Sequence, residues 1–118
     1  MLAQLVGIGD NERKRERFTL ERNGQIRIYA LGEGQDRVMH DYAWIENDRG
    51  RIVWEMTSRD TERAGGARKN RMVNETIDLD AGDYTVYYES DGSHSFEGWN
   101  DKPPRDRWSW GVTIKTVE

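Results

Sequence analysis

Cysteine is absent from this chain, which excludes disulfide staples and thiolate metal sites and is compatible with either redox compartment. No Gly-x-Ser-x-Gly elbow and no His-Glu-x-x-His pair occurs, so the common signatures of serine hydrolases and zinc proteases are missing. No apolar run approaches the ~20 residues of a membrane-spanning helix. Apolar residues are scarce as well, at 35% against 34% charged, with a mean hydropathy of −1.00. Such a balance leans toward disorder, but twelve aromatic residues and several alternating segments oppose it. With 118 residues the chain fits one domain, 1–118, large enough to bury a core unaided.

Period-two alternation dominates the pattern. Phe18 and Leu20 share one side of a short strand, and the Asn23-Gly24 turn leads into Gln25 to Leu31. Ile26, Ile28 and Ala30 mark one face of that strand, and Gly32-Glu33-Gly34 is expected to end it. Tyr42 to Asn47 and Arg51 to Thr57 flank Asp48-Arg49-Gly50 as a hairpin, and one of its registers would set Trp44 and Trp54 together as a cross-strand aromatic pair. Residues 58–71, with Gly65-Gly66 at their centre, read as a polar loop with room for one helical turn near Thr61–Ala64. Met72 to Leu79, Tyr84 to Glu89 and Trp108 to Val117 complete the strands, and residues 1–16 read as an N-terminal arm or an edge strand that includes Leu2–Ile8. Seven to eight short strands without an amphipathic helix predict an all-β antiparallel sandwich, jelly-roll-like.

The net charge of −4 argues against nucleic-acid binding. Its distribution is uneven: Met72 to Asp101 holds eight acidic residues and no Lys or Arg, whereas Arg59 to Arg71 holds five basic and two acidic ones. Arg13, Lys14, Arg15 and Arg17 form a second basic group. Solvated surface explains such runs, and two opposed faces on neighbouring copies are the sharper alternative.

Residues 89–111 stand apart. They hold both prolines, three of the five tryptophans and His94, between two strand-like segments. A loop this long is functional or disordered, and three tryptophans oppose disorder. His94 lies between Ser93 and Ser95 with Asp91 nearby, but catalytic triads are assembled from distant segments, so the site is read as non-catalytic. His40-Asp41 and Asp91–His94 suffice for a Zn²⁺ site, and for a small metal-dependent enzyme, only where the two loops meet. A structural Ca²⁺ would favour Asp80, Asp83, Asp91 and Asp101; no cofactor is otherwise expected. Gly65-Gly66 beside Arg63, Arg68 and Lys69 offers an anion nest or a plain loop tip. Trp99 and Trp108, with Tyr42, Tyr87 or Tyr88, can form a stacking platform for a sugar ring, with Asn100, Asp101, Arg107 and His94 as polar partners. The competing reading is a structural plug.

The run Leu79-Asp80-Ala81-Gly82-Asp83-Tyr84-Thr85-Val86 resembles the Leu-x-Ala-Gly-x-Tyr-x-Val signature of small secreted β-sandwich modules. These are the pre-peptidase C-terminal domains of bacterial secreted enzymes, the Golgi-dynamics type sandwich and some carbohydrate-binding modules. The resemblance implies an accessory, non-catalytic domain outside the cytoplasm, and it extends to no residue of the Trp-rich loop. The opening Met-Leu-Ala-Gln-Leu-Val lacks the basic start of a signal peptide, and its strand-like residues favour a mature or excised piece of a longer extracellular or cell-surface precursor, with the cytoplasm as the other location. The expected function is recognition of a glycan or protein partner through residues 91–107. The alternative is a self-associating structural subunit, a homo-oligomer assembled through strand edges and charge patches.

Overall fold

The computed structural model describes residues 1–117. Among them are nine strands, all paired antiparallel: β1 (Ala3–Val6), β2 (Arg13–Leu20), β3 (Gly24–Gln35), β4 (Val38–Asn47), β5 (Ile52–Glu55), β6 (Glu62–Arg63), β7 (Asn70–Leu79), β8 (Gly82–Glu89) and β9 (Gly111–Thr116). One layer runs β6-β7-β3-β9-β1 and the other β5-β4-β8-β2. The β3–β4 hairpin joins them, because β4 leaves β3 after Asp41 and pairs with β8 from Tyr42 onward. The free ends of the path, β1 and β2, approach each other where the Gln4 N–H donates to Glu16 Oε1 at 2.9 Å. The result is a sandwich that is nearly closed and barrel-like, a geometry that hides most strand edges.

The alternation in the sequence builds the core. Ile26, Ile28, Ala30, Val86, Tyr88, Trp110, Val112 and Ile114 lose essentially all exposure, with Phe18, Leu20, Val73, Leu79 and Tyr84 close behind. Gly82 opens β8 just after the Asp80-Ala81 turn, and Tyr84 and Val86 fill the next two inward positions.

Three expectations need correction. First, β3 does not end at Gly32 but runs on to Gln35, with a bulge between Glu33 and Gly34. The glycine serves close packing: a Cβ on Gly32 would fall onto the Asp41 carbonyl of the neighbouring strand. Second, Trp44 and Trp54 do not pair. The register sets Trp44 opposite Glu55 and Ile45 opposite Trp54, so the two indoles take opposite faces. Trp44 instead stacks on Tyr87 at 5.0 Å on the outer face, while the Trp54 N–H donates to Glu75. Third, the 58–71 loop contains the short strand β6, raising the count to nine, and its single helical turn is a 3-10 segment at Ser58–Asp60.

The N-terminal segment is an edge strand of the first layer. Ala3 and Ile8 are buried, and the Leu2 N–H donates to the Ile114 carbonyl. Removing residues 1–8 is therefore expected to cost ~2–4 kcal/mol of stability, read as a melting temperature lower by roughly 10 °C or more. An unchanged melting curve would make the segment a detachable arm.

Candidate functional site

The connection between β8 and β9 is knitted into the body of the protein by main-chain hydrogen bonds to two other loops. The Phe96 N–H donates to Ile8 O, Asn11 N–H to Asp91 O and Ser90 N–H to Glu12 O. On the other side Ala67 N–H donates to Lys102 O and Arg105 N–H to Ala64 O. Gly66, at φ +69°, lets the chains approach this closely, since a Cβ there would collide with the Pro103 carbonyl.

His94 is the internal pin of the loop. It is fully buried, with Nε2 2.5 Å from Asn70 Oδ1 and Nδ1 2.9 Å from Asn100 Oδ1. Asn70 is itself fixed, because its amide N–H groups donate to Gly65 O and Lys102 O, which leaves Oδ1 to accept from His94 Nε2–H. Burial first, and then the Lys69 ammonium, lower the His94 pKa and favour the neutral ring. The ring also meets the edges of Trp99 (5.1 Å) and Trp110 (5.8 Å), and the two indoles meet each other at 4.9 Å and 86°.

The platform drawn from the sequence is divided in the fold. Trp99 is half-buried and turns toward Trp110, while Trp108 is 64% exposed and turns toward Phe96, whose ring lies 5.3 Å away. The Arg107 guanidinium stands 5.3 Å from the Trp108 ring centre. Asn100 is exposed, but its amide oxygen accepts from the Lys69 ammonium and lies against the His94 ring, and the exposed Asp101 accepts the Lys102 N–H within the loop. His94 has no surface to offer a ligand. Of the tyrosines, Tyr88 is in the core, and Tyr42 and Tyr87 flank Trp44 on the outer face of the second layer. There Arg13 covers Trp44 and Tyr87 at 5.6 and 5.9 Å, a cation–π cluster signalled by the outward positions of β4 and β8.

No protein-family model matches this chain, and no curated protein matches it. The site must be understood from its own groups.

At the root of the loop, two of the residues considered for a metal do meet. Asp41 Oδ1 accepts the Asp91 N–H at 2.9 Å, and Oδ2 faces the Trp110 N–H at 3.3 Å. Glu33 stands directly opposite Asp41 in the β3–β4 ladder, which sets both side chains on one face. Ligand atoms of Glu33, Asp41 and Asp91 lie within 4.8 Å of one another, the one such group of three among the described residues. His40 and His94 are outside it, as are Asp80, Asp83 and Asp101. Lys69 is 3.4 Å from Glu33 Oε2. Burial pushes the Asp41 carboxyl up to about 8, and the charges of Asp91 and Glu33 push the same way against the opposing hydrogen bond from the Asp91 backbone. Glu33 is raised by burial and Asp91, with Lys69 and His40 pulling the other way. Nothing in a local motif marked Glu33, because its partners come from β4 and from beyond β8.

The basic and acidic stretches also meet within one molecule. Arg13 lies opposite Glu89 in the β2–β8 ladder.

Proposed function

We propose that this chain is a non-catalytic binding domain that recognises a glycan through an exposed aromatic surface centred on Trp108. The observation that carries the reading is the exposure of this indole: at 64% it is the one exposed aromatic side chain among the described residues. A tryptophan left in water forgoes burial free energy, while its flat apolar face suits the C–H face of a sugar ring. Phe96 supports it and Arg107 supplies N–H donors beside it. The knitted loop behind these residues supports the reading further, because a pre-ordered surface loses little entropy on binding. The role of an accessory module of an extracellular or cell-surface protein fits this surface.

The test is a glycan screen read by tryptophan fluorescence, repeated on Trp108→Ala. The variant is expected to lose affinity at least tenfold, with stability unchanged within ~0.5 kcal/mol as for an exposed substitution. A protein captured by the wild type and not by the variant, with no glycan response, would replace the glycan by a protein partner at the same surface. Equal behaviour of the two forms in both assays would overturn the reading.

A further inference from the structure

We propose that Glu33, Asp41 and Asp91 form a divalent-cation site, for Ca²⁺ by their chemistry, that ties the β3–β4 hairpin to the start of the Trp-rich loop. The three carboxyl groups converge within 4.8 Å, a separation that one ion can bridge with Ca–O distances of about 2.4 Å. A second observation is independent of that clustering. Glu33 is 4% exposed, and its Oε1 is buried with no hydrogen-bond partner among the described residues. A buried carboxylate oxygen without a partner costs free energy unless something positive meets it, and the Lys69 ammonium reaches the other oxygen, Oε2.

Charge balance points the same way. Lys69, at 3.4 Å from Glu33 Oε2, is the one ion-pair partner of the three carboxyl groups within 4.0 Å among the described residues, and its ammonium also donates to Asn100. One ammonium for three acidic side chains leaves two without a positive partner, and that pairing is what a divalent ion supplies. The donor set is all oxygen, with no imidazole or thiolate, which disfavours Zn²⁺. Two of the three ligands are buried, an enclosure that suits Ca²⁺ better than Mg²⁺, which keeps several of its waters. The hydrogen bonds of Asp41 to the Asp91 N–H and the Trp110 N–H fix its orientation, as supporting groups around a metal do.

The experiment is a Ca²⁺ titration of the EDTA-stripped 118-residue chain, followed by thermal denaturation and by calorimetry. One ion per chain and a saturable rise in melting temperature of roughly 5–15 °C at about a hundredfold excess over Kd are expected. Glu33→Gln keeps the side-chain volume and should weaken binding at least tenfold, whereas Asp83→Asn, a surface carboxylate, should leave it unchanged. Terbium luminescence on the wild type, sensitised by Trp110 and displaced by Ca²⁺, gives a readout that does not depend on any variant folding. No calorimetric heat and no displaceable terbium signal at millimolar metal would overturn the proposal. So would an equal loss in Asp83→Asn, which would mean diffuse binding to the acidic surface.

Discussion

Replacing Trp110 by alanine is expected to leave much of the protein unfolded at 37 °C. Truncating a fully buried tryptophan costs ~3–5 kcal/mol, against a total stability of ~5–15 kcal/mol for an ordinary domain. Here the loss falls at a junction. Trp110 is completely buried, meets the edges of both Trp99 and His94, and presents its N–H to Asp41 Oδ2 at 3.3 Å. Its removal therefore opens a cavity beneath the loop and takes a donor from a buried carboxyl group in the same step. Urea denaturation followed by circular dichroism measures this as a large fall in midpoint, and Trp110→Phe should recover part of it. Two residues away Trp108→Ala should barely move the midpoint. Equal effects from the two tryptophans would show that the loop is not organised around Trp110.

Stability is also expected to decline as pH rises from about 4 to about 8. Asp41, with its usual value of 3.8 raised to about 8 by burial, holds a proton in the folded state that the unfolded chain has already released. Its contribution is complete below the unfolded value and is lost as pH climbs through the folded one. A tenfold difference in proton affinity between the two states is worth about 1.4 kcal/mol, so the whole decline amounts to several kcal/mol. Glu33, also raised, acts in the same direction. His94 acts oppositely: its lowered pKa means that acidification below its usual 6.5 favours the unfolded chain. Asp41→Asn cannot titrate and should flatten the alkaline limb while leaving the acid limb of His94 in place. Chemical denaturation at half-unit pH steps, in EDTA so that no divalent ion replaces the proton, decides this. A variant profile parallel to that of the wild type would remove Asp41 from the account.

Legibility in the sequence followed the range of the interactions. Alternation exposed β3, β7, β8, β9 and the Phe18–Leu20 end of β2, because a strand with one buried face writes its period directly into the chain, whereas Arg13–Arg17 of β2 are exposed throughout and carry no such period. The Asp48-Arg49-Gly50 turn was equally local, and Gly50 does adopt φ +75°. Register was not local: the irregularity between Ile45 and Glu46 sends Trp44 and Trp54 to opposite faces, and no property of either segment alone encodes it. The Trp-rich loop was visible as a composition, but the assignment of its tryptophans was not. Trp99 and Trp108 look alike in sequence, and only the arrival of His94 and Trp110 beside one of them separates support from surface. Glu33 was hidden for a related reason, since Gly32 and Gly34 around it imitate a turn while serving a close strand crossing.

The pairing of β1 with β9 sets Ala3 opposite Ile114, so the first and last strands of the chain form one ladder. Emerging from a ribosome, the first layer waits with an unfilled edge on β3 until β9 has been made, and closure of the large β1–β9 sequence loop waits with it. Contacts of such long sequence separation slow folding. The same adjacency makes the order of the strands along the chain separable from their order in space. Residues 1 and 117 can be joined by a short linker and the chain reopened at the exposed Asp48–Gly50 turn, yielding a permuted protein in which the β1–β9 ladder forms early.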